Sequence, residues 1–336
     1  MDIKWLTDRL PPRQPIDRRT EADYYGASDL IRTELGLAAT PPSCASWKHG
    51  VTVGQEWTYP ELMLTEGNRA TRHLVNTSVL AQQLKRRGYL RVHAVGAPFL
   101  YVEPITVRRL PKSLLIMPSH SLANSSHPFD EDAYLKQLLS IRGRFDVVVA
   151  CISPPCVRNG NWIRSFERSG IPWIEGADSV DRNALRRMAA ILGSFEHMTT
   201  NTLGSHIAYA AYSGCRVSIW GPYFQYRLED FKGVPWYERH WTKLMGVFEQ
   251  LSESRVRSRF EWLFKDPWEA SLAHDWAQTI LGLPHKREAN EVARLLGWTP
   301  LGQAEALLHR AARRGAAVTG RIFHVARHGL VGSRDA

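Results

Sequence analysis

The stretch TTNTLGSHIAYAAYSGCRVSIWGP, residues 199–222, decides the fold. It opens on a short polar strand, turns at Gly204-Ser205-His206, and runs on as a helix of small apolar residues that stops at Gly214. A second strand, RVSIWGP, follows at once. A strand, a helix and a strand joined this tightly form the repeating unit of a parallel sheet covered by helices. Gly204 permits a tight turn and a close backbone approach by a ligand. The first N–H groups of the next helix point at that ligand, and the helix dipole favours negative charge there. Ser205 either caps the helix or donates to a phosphate oxygen. His206 either donates a ring nitrogen to an oxyanion or packs locally.

Upstream the same alternation is regular. SLLIMPSH (113–120), DVVVACIS (146–153), IPWIEGAD (171–178) and HMTTNT read as strands. Between them lie helices: one opened by Asp130, one closed by Gly170, and DRNALRRMAAILGSF. The acidic run 130–132 sits where a helix begins, so it is read as structural rather than metal-binding. Nearer the N-terminus, an irregular arm precedes a helix with Ser28 as its N-cap and Gly36 as its stop. SCASWKHG (43–50) and RVHAVG (91–96) read as strands, RHLVNT (72–77) as either a strand or the lead-in to the next helix, and SVLAQQLKRRGY as a helix. APFLYVE continues the apolar run towards Pro104. Residues 223–336 contain only helical patterns and no strand.

The chain has 336 residues, with 44% hydrophobic and 23% charged residues, as in an ordinary globular protein. At roughly 100–200 residues per domain, this length fits two domains or one large α/β domain, with two favoured. The four cysteines (Cys44, Cys151, Cys156, Cys215) are too few for a disulfide framework and are expected to be free. The opening MDIKWLTDRLPPRQPIDRR has no apolar core of signal-peptide length, and no run spans a membrane. A reducing, cytoplasmic setting is therefore expected. The net charge of +10 suits anionic partners. No zinc finger, RNA-recognition signature or basic zipper is present, so specific nucleic-acid binding is not expected. The basic C-terminal segment, with Arg310, Arg313, Arg314, Arg321 and Arg327, is either a solvated tail or a contact for anionic lipid.

In a doubly wound sheet, ligands sit beyond the carboxyl ends of the strands. Those ends carry Ser119, His120 and Ser121, with His127 in the loop beyond; then SPPC; then Glu175, Gly176 and Asp178; then Asn201, Thr202, Gly204, Ser205 and His206; then Gly221 and Pro222. His120 is either a satisfied polar residue or a ligand contact. Glu175 either binds ribose hydroxyls or is structural, and Asp178 is expected to cap a helix beginning near Asp181. In the N-terminal half, His49 ends a strand before a glycine and is placed to act as a general base. Lys48 beside it can bind phosphate, and Glu56 and Glu66 are weaker candidates. Neither GxxxxGK[ST], GxGxxG nor GxSxG occurs at the required context, which argues against a P-loop enzyme, a nicotinamide enzyme and an α/β-hydrolase.

MPSHSLANSSHPFDEDAYLKQLL, FDVVVACIS, GADSVDRNALRRMAAIL and residues 199–222 together resemble the C-terminal half of GT-B-type glycosyltransferases of bacterial surface-polysaccharide synthesis. The resemblance implies two Rossmann-like α/β domains with parallel sheets and a nucleotide-sugar donor in the cleft between them. It implies donor contacts at Asn201, Thr202, Gly204, Ser205 and His206, with His49 as catalytic base and no metal; Ser119, His120, Ser121, His127 and Glu175 are the further donor-binding candidates. Ser126-His127-Pro128 is similar to the His-Pro element of transferases that use CMP-activated sugars, so a CMP- or UDP-linked donor is expected. The implied organisation is an acceptor-side domain over 1–110, a donor-binding domain over 111–240 and a helical region over 241–336. The acceptor is a saccharide or a lipid-linked one, and the protein is expected in the cytoplasm, either free or peripheral on the inner face of the plasma membrane. Two other readings stay open: a nucleotide-sugar hydrolase or epimerase of the same fold, and a non-catalytic binder of nucleotides or polyanions.

Overall fold

In the computed structural model, residues 3–17, 20–51, 53, 59–64, 68–104, 107–120 and 130–304 are described. The expectations at Glu56, Glu66, Ser121, Ser126, His127, Pro128 and the basic segment beyond residue 304 lie outside them. The protein is a mixed α/β structure with two sheets whose main strands run parallel.

The elements follow in chain order. Helix α1 (Lys4–Thr7) and α2 (Ala27–Glu34) precede β1 (Ala45–Trp47), β2 (Arg72–Val75), α3 (Ser78–Arg86) and β3 (Val92–Ala94). Strand β4 (Leu110–Ile116) starts the second sheet and is followed by α4 (Glu131–Ile141), β5 (Val147–Ile152), α5 (Pro154–Asn159), α6 (Ile163–Ser169) and β6 (Trp173–Glu175). Then come α7 (Ala184–Gly193), β7 (Phe195–Thr200), α8 (Ser205–Tyr212) and β8 (Arg216–Ile219). The last part holds α9 (Pro235–Arg239), α10 (Trp241–Gln250), α11 (Glu253–Arg259), β9 (Ser271–Leu272), α12 (His274–Leu281) and α13 (Ala289–Leu296).

The first sheet has the order β1-β2-β3, and the second the order β6-β5-β4-β7-β8-β9. Strands β4 to β8 are parallel because their connections are helices, which return the chain to the same sheet edge. The central strands are apolar along their length: Leu114, Leu115 and Ile116 are fully buried, as a strand covered on both faces requires. Asp130 accepts from the Ala133 N–H and caps α4, as its place in the sequence predicts. Glu131 accepts from the Trp162 N–H at 2.6 Å and the Ser165 hydroxyl at 2.5 Å, so the acidic run is structural.

Several local expectations are corrected. Ser28 is not an N-cap; α2 opens from Gly26, and the Ser28 hydroxyl donates to Asp23 at 2.7 Å. A side chain at Gly26 would meet the Arg182 carbonyl at 1.8 Å, which is why glycine stands there. Within the apolar run that follows β3, Pro98–Tyr101 is a 3-10 turn opened by its proline. Strand β9 does occur after residue 223; two residues pairing antiparallel with the edge strand β8 leave no periodic pattern to read.

Helices α12 and α13 are tied to the N-terminal sheet. Asn76 donates to the Ile280 carbonyl, Arg72 to the Leu295 carbonyl and the Cys44 N–H to the Leu296 carbonyl. Helices α12 and α13 thus complete the covering of the N-terminal sheet. The arm before α2 lies along the loop ahead of α7: the Arg182 N–H donates to Gln14 and the Ile16 N–H to Val180. One hydrophobic core runs from Trp47 and Leu74 through Phe99 to Met198 and Ile207, joining both sheets.

Candidate functional site

The strand order of the second sheet reverses at β4. From β4 the chain moves outward through β5 and β6, then crosses back to place β7 on the other side of β4. Their carboxyl ends diverge there, and such a switch point is where an open α/β sheet leaves a crevice. A cavity of about 590 Å³ occupies it. Every parallel strand of this sheet contributes to its wall. Met117 and His120 follow β4, Ser153 follows β5, Gly176 follows β6, Thr202 to His206 follow β7, and Tyr223 to Tyr226 follow β8. The opposite wall comes from the end of β1, at Lys48, His49, Gly50 and Val51.

The turn after β7 is built as its sequence predicts, with one change of role. Helix α8 begins at Ser205, with Gly204 extended before it. Ser205 does not cap its own helix. Its Oγ accepts from the Val51 N–H at 3.0 Å and donates to the Val51 carbonyl at 3.3 Å, so it binds the two halves together. The His206 ring folds back, with Nε2 3.0 Å from the Thr200 hydroxyl. A Cβ at Gly204 would lie 2.8 Å from that ring, so the glycine is needed as space. Burial, reinforced by His120, drops the His206 pKa to about 3. The ring is therefore neutral at physiological pH and offers a hydrogen bond rather than a charge.

At the end of β1, Lys48 is only 8% exposed. Burial lowers its pKa, opposed by the Glu21 carboxylate. His49 Nδ1 lies 3.4 Å from Glu21 Oε1, and the ring packs between Tyr24 and Tyr25. Tyr25 holds a left-handed backbone at φ 59, a strained state for a residue with a side chain. The Tyr209 hydroxyl of α8 donates to the His49 carbonyl, fixing the loop from the other half.

Of the remaining sequence candidates, His120, Thr202 and Gly204 line the cavity, and Ser119, Asn201 and Glu175 do not. Asn201 spends its side chain on backbone: Oδ1 accepts from the Ser119 N–H at 2.8 Å, and Nδ2 donates to the Pro222 carbonyl. It holds the ends of β4, β7 and β8 together. Ser119 is fully buried behind the wall. Glu175 pairs with Arg13 of the N-terminal arm at 2.7 Å. Asp178 caps no helix; it accepts from the Val180 N–H and pairs with Arg158, and α7 starts later. Cys151 lines the cavity, but burial raises its thiol to about 12, which makes it inert. Among the described residues, no group of three or more His, Cys, Asp or Glu side chains is arranged to hold a metal ion.

The sequence did not mark Glu21 or the run Tyr223-Phe224-Gln225-Tyr226 as site residues. Glu21 lies in an irregular turn distant in sequence from His49. The aromatic run directly follows the Gly221-Pro222 strand end, and that position is the signal that would have found it.

No protein-family model matches the sequence, and no curated protein matches it. Among solved structures, the chain is similar to the crystal structure of the pneumococcal O-GlcNAc transferase GtfA in complex with UDP and GlcNAc. The identity is 9% and the TM-score 0.32, over 78% of this chain and 52% of that one. The chain thus spans about half the length of that structure. No helix among the described residues is long and apolar enough to cross a membrane.

Proposed function

We propose that the cavity binds a nucleotide-sugar donor and that the protein is a glycosyltransferase, passing the sugar to a saccharide or lipid-linked acceptor. The observation that carries this is the meeting of two sets of groups in one cavity. One wall is the switch point of the second, six-stranded sheet with the first turn of α8; the other is the His49 end of β1 in the first sheet. The volume falls within the range of about 300–1,000 Å³ usual for small-molecule sites.

The chemistry follows from the placement. As the sugar–phosphate bond breaks, negative charge grows on the leaving phosphate. The N–H groups of the first turn of α8 and the Lys48 ammonium offer that charge fixed dipoles and a cation in a partly desolvated site. His49 takes the proton of the acceptor hydroxyl. The polar donors around the sugar and base are His120, Thr202 and the neutral His206. A CMP- or UDP-linked donor is the first to test.

The test is thermal stabilisation by CMP, UDP, GDP and dTDP at matched ionic strength, followed by acceptor-dependent nucleotide release. A ligand at a hundredfold excess over Kd adds about 2.7 kcal/mol. One nucleotide standing out, with the shift lost in Lys48→Met, supports the donor site. Release of free sugar without an acceptor favours a hydrolase. Equal shifts with all four that salt abolishes favour a polyanion binder.

A further inference from the structure

Glu21 is buried to 2% exposure, and nothing in the donor site as described above uses it. A carboxylate in such a place needs partners. Its Oε2 accepts from the Ser46 hydroxyl, and its Oε1 faces His49 Nδ1 at 3.4 Å. That Nδ1 is buried and forms no hydrogen bond with any described residue. The His49 side chain itself is 27% exposed and lines the cavity. The other groups around the ring are the Tyr24 and Tyr25 side chains, the Tyr209 hydroxyl on the His49 carbonyl, and the neighbouring Lys48.

We infer that Glu21 is the positioning residue of His49: it holds the neutral imidazole with its proton on Nδ1 and leaves Nε2 bare for the acceptor hydroxyl. The inference rests on the donor-site reading for its last step only. In that step the acceptor O–H bond breaks and its proton goes to Nε2. The oxygen's electron pair forms the bond to the sugar carbon, and the sugar–phosphate bond breaks with its pair leaving on the nucleotide. The imidazolium that results lies beside the Glu21 charge, which stabilises it. Ser46 fixes the carboxylate so that Oε1 stays turned to the ring. A protonated Nδ1 facing the Oε1 charge at 3.4 Å is favoured over a bare lone pair facing it, which leaves Nε2 as the unprotonated nitrogen.

Glu21→Gln tests this with a readout that does not depend on turnover. The Ser46 hydroxyl donates, so it retains the amide oxygen and turns the amide NH2 towards His49. Nδ1 then becomes an acceptor and the proton moves to Nε2. In the free wild-type protein, 15N NMR of the neutral His49 ring is expected to report protonated Nδ1; in Glu21→Gln it is expected to report protonated Nε2. Turnover is expected to fall by about ten- to a hundredfold, further than nucleotide-induced stabilisation, which falls only as far as the Glu21 charge supports Lys48. Should the Gln variant fail to fold, Glu21→Asp, which shortens the reach but keeps the charge, is expected to show a mixed tautomer and a smaller loss. An unchanged tautomer in the variant that folds overturns the inference. If the tautomer switches but wild-type protein turns over no nucleotide sugar, Glu21 positions His49 and the donor-site reading fails instead.

Discussion

Ser205 and Val51 are hydrogen-bonded to each other twice across the junction of the two sheets, Oγ accepting at 3.0 Å and donating at 3.3 Å. The first residue of α8 thereby holds the loop that carries His49. Ser205→Ala removes both bonds and leaves the Val51 groups to find water. At about 1 kcal/mol net for each neutral bond, the loss of stability is expected to be about 1–2 kcal/mol by urea denaturation. Ligand-induced stabilisation is expected to drop further than stability does, because one wall of the cavity is released. Equal nucleotide shifts in the variant and the wild type would show that the loop holds its place without Ser205.

His206 makes stability fall in acid. Its folded pKa, about 3, lies below its ordinary value of 6.5. The unfolded chain therefore binds a proton in that interval and the folded one does not. The contribution is fully present above pH 6.5 and is lost as pH falls towards 3. Across the interval it is on the order of a few kcal/mol. Urea midpoints at pH 7 and pH 4.5 are expected to fall less in His206→Gln than in the wild type. Binding of a nucleotide is expected to show no titration from this ring above pH 6.

The parallel sheet was legible in the sequence because its strands are continuous apolar runs between amphipathic helices, and both patterns are local. The Gly204-Ser205-His206 turn was legible for the same reason. What it does was not: Ser205 bonds to a residue 154 positions away, and no local pattern encodes that. Asn201 and Glu175 looked like ligand contacts from their strand-end positions. Their partners, Ser119 and Arg13, come from other segments and draw them into the frame. Glu21 was missed because the carboxylate and the histidine it faces are joined only by the packing of a turn against β1.

Asp29 anchors α2 to the second half of the protein. It is 1% exposed and receives Arg32 at 2.7 Å and Arg186 at 3.2 Å, with Arg182 at 3.7 Å. Burial opposes its charge, but the bonds and charges of Arg32 and Arg186 outweigh that and hold its pKa below the ordinary 3.8. The sign is that of a depressed acid: the stabilisation is present above pH 3.8 and is lost as pH falls below it. Asp29→Asn leaves three guanidinium groups without their shared counter-charge and is expected to cost about 3 kcal/mol. Denaturation at neutral pH checks this. The difference from wild type is expected to shrink below pH 3.

Phe99 stacks on Tyr209 with ring centroids 4.4 Å apart and planes 17° apart, and it is 2% exposed. One ring belongs to the turn after β3 and the other to α8, so the contact sits in the core shared by the two sheets. Two bodies joined by a wet, polar interface would unfold separately. Two sheets joined through buried aromatic rings should unfold together, because exposing one side of the stack destabilises the other. Unfolding followed by tryptophan fluorescence and by far-UV circular dichroism is therefore expected to give one coincident transition. Phe99→Ala removes a buried ring and is expected to cost about 3–5 kcal/mol, lowering that midpoint for both probes at once. Two resolved transitions in the wild type, with only one of them moved by the substitution, would mean that the sheets are energetically separate and that the cavity between them can open without unfolding either.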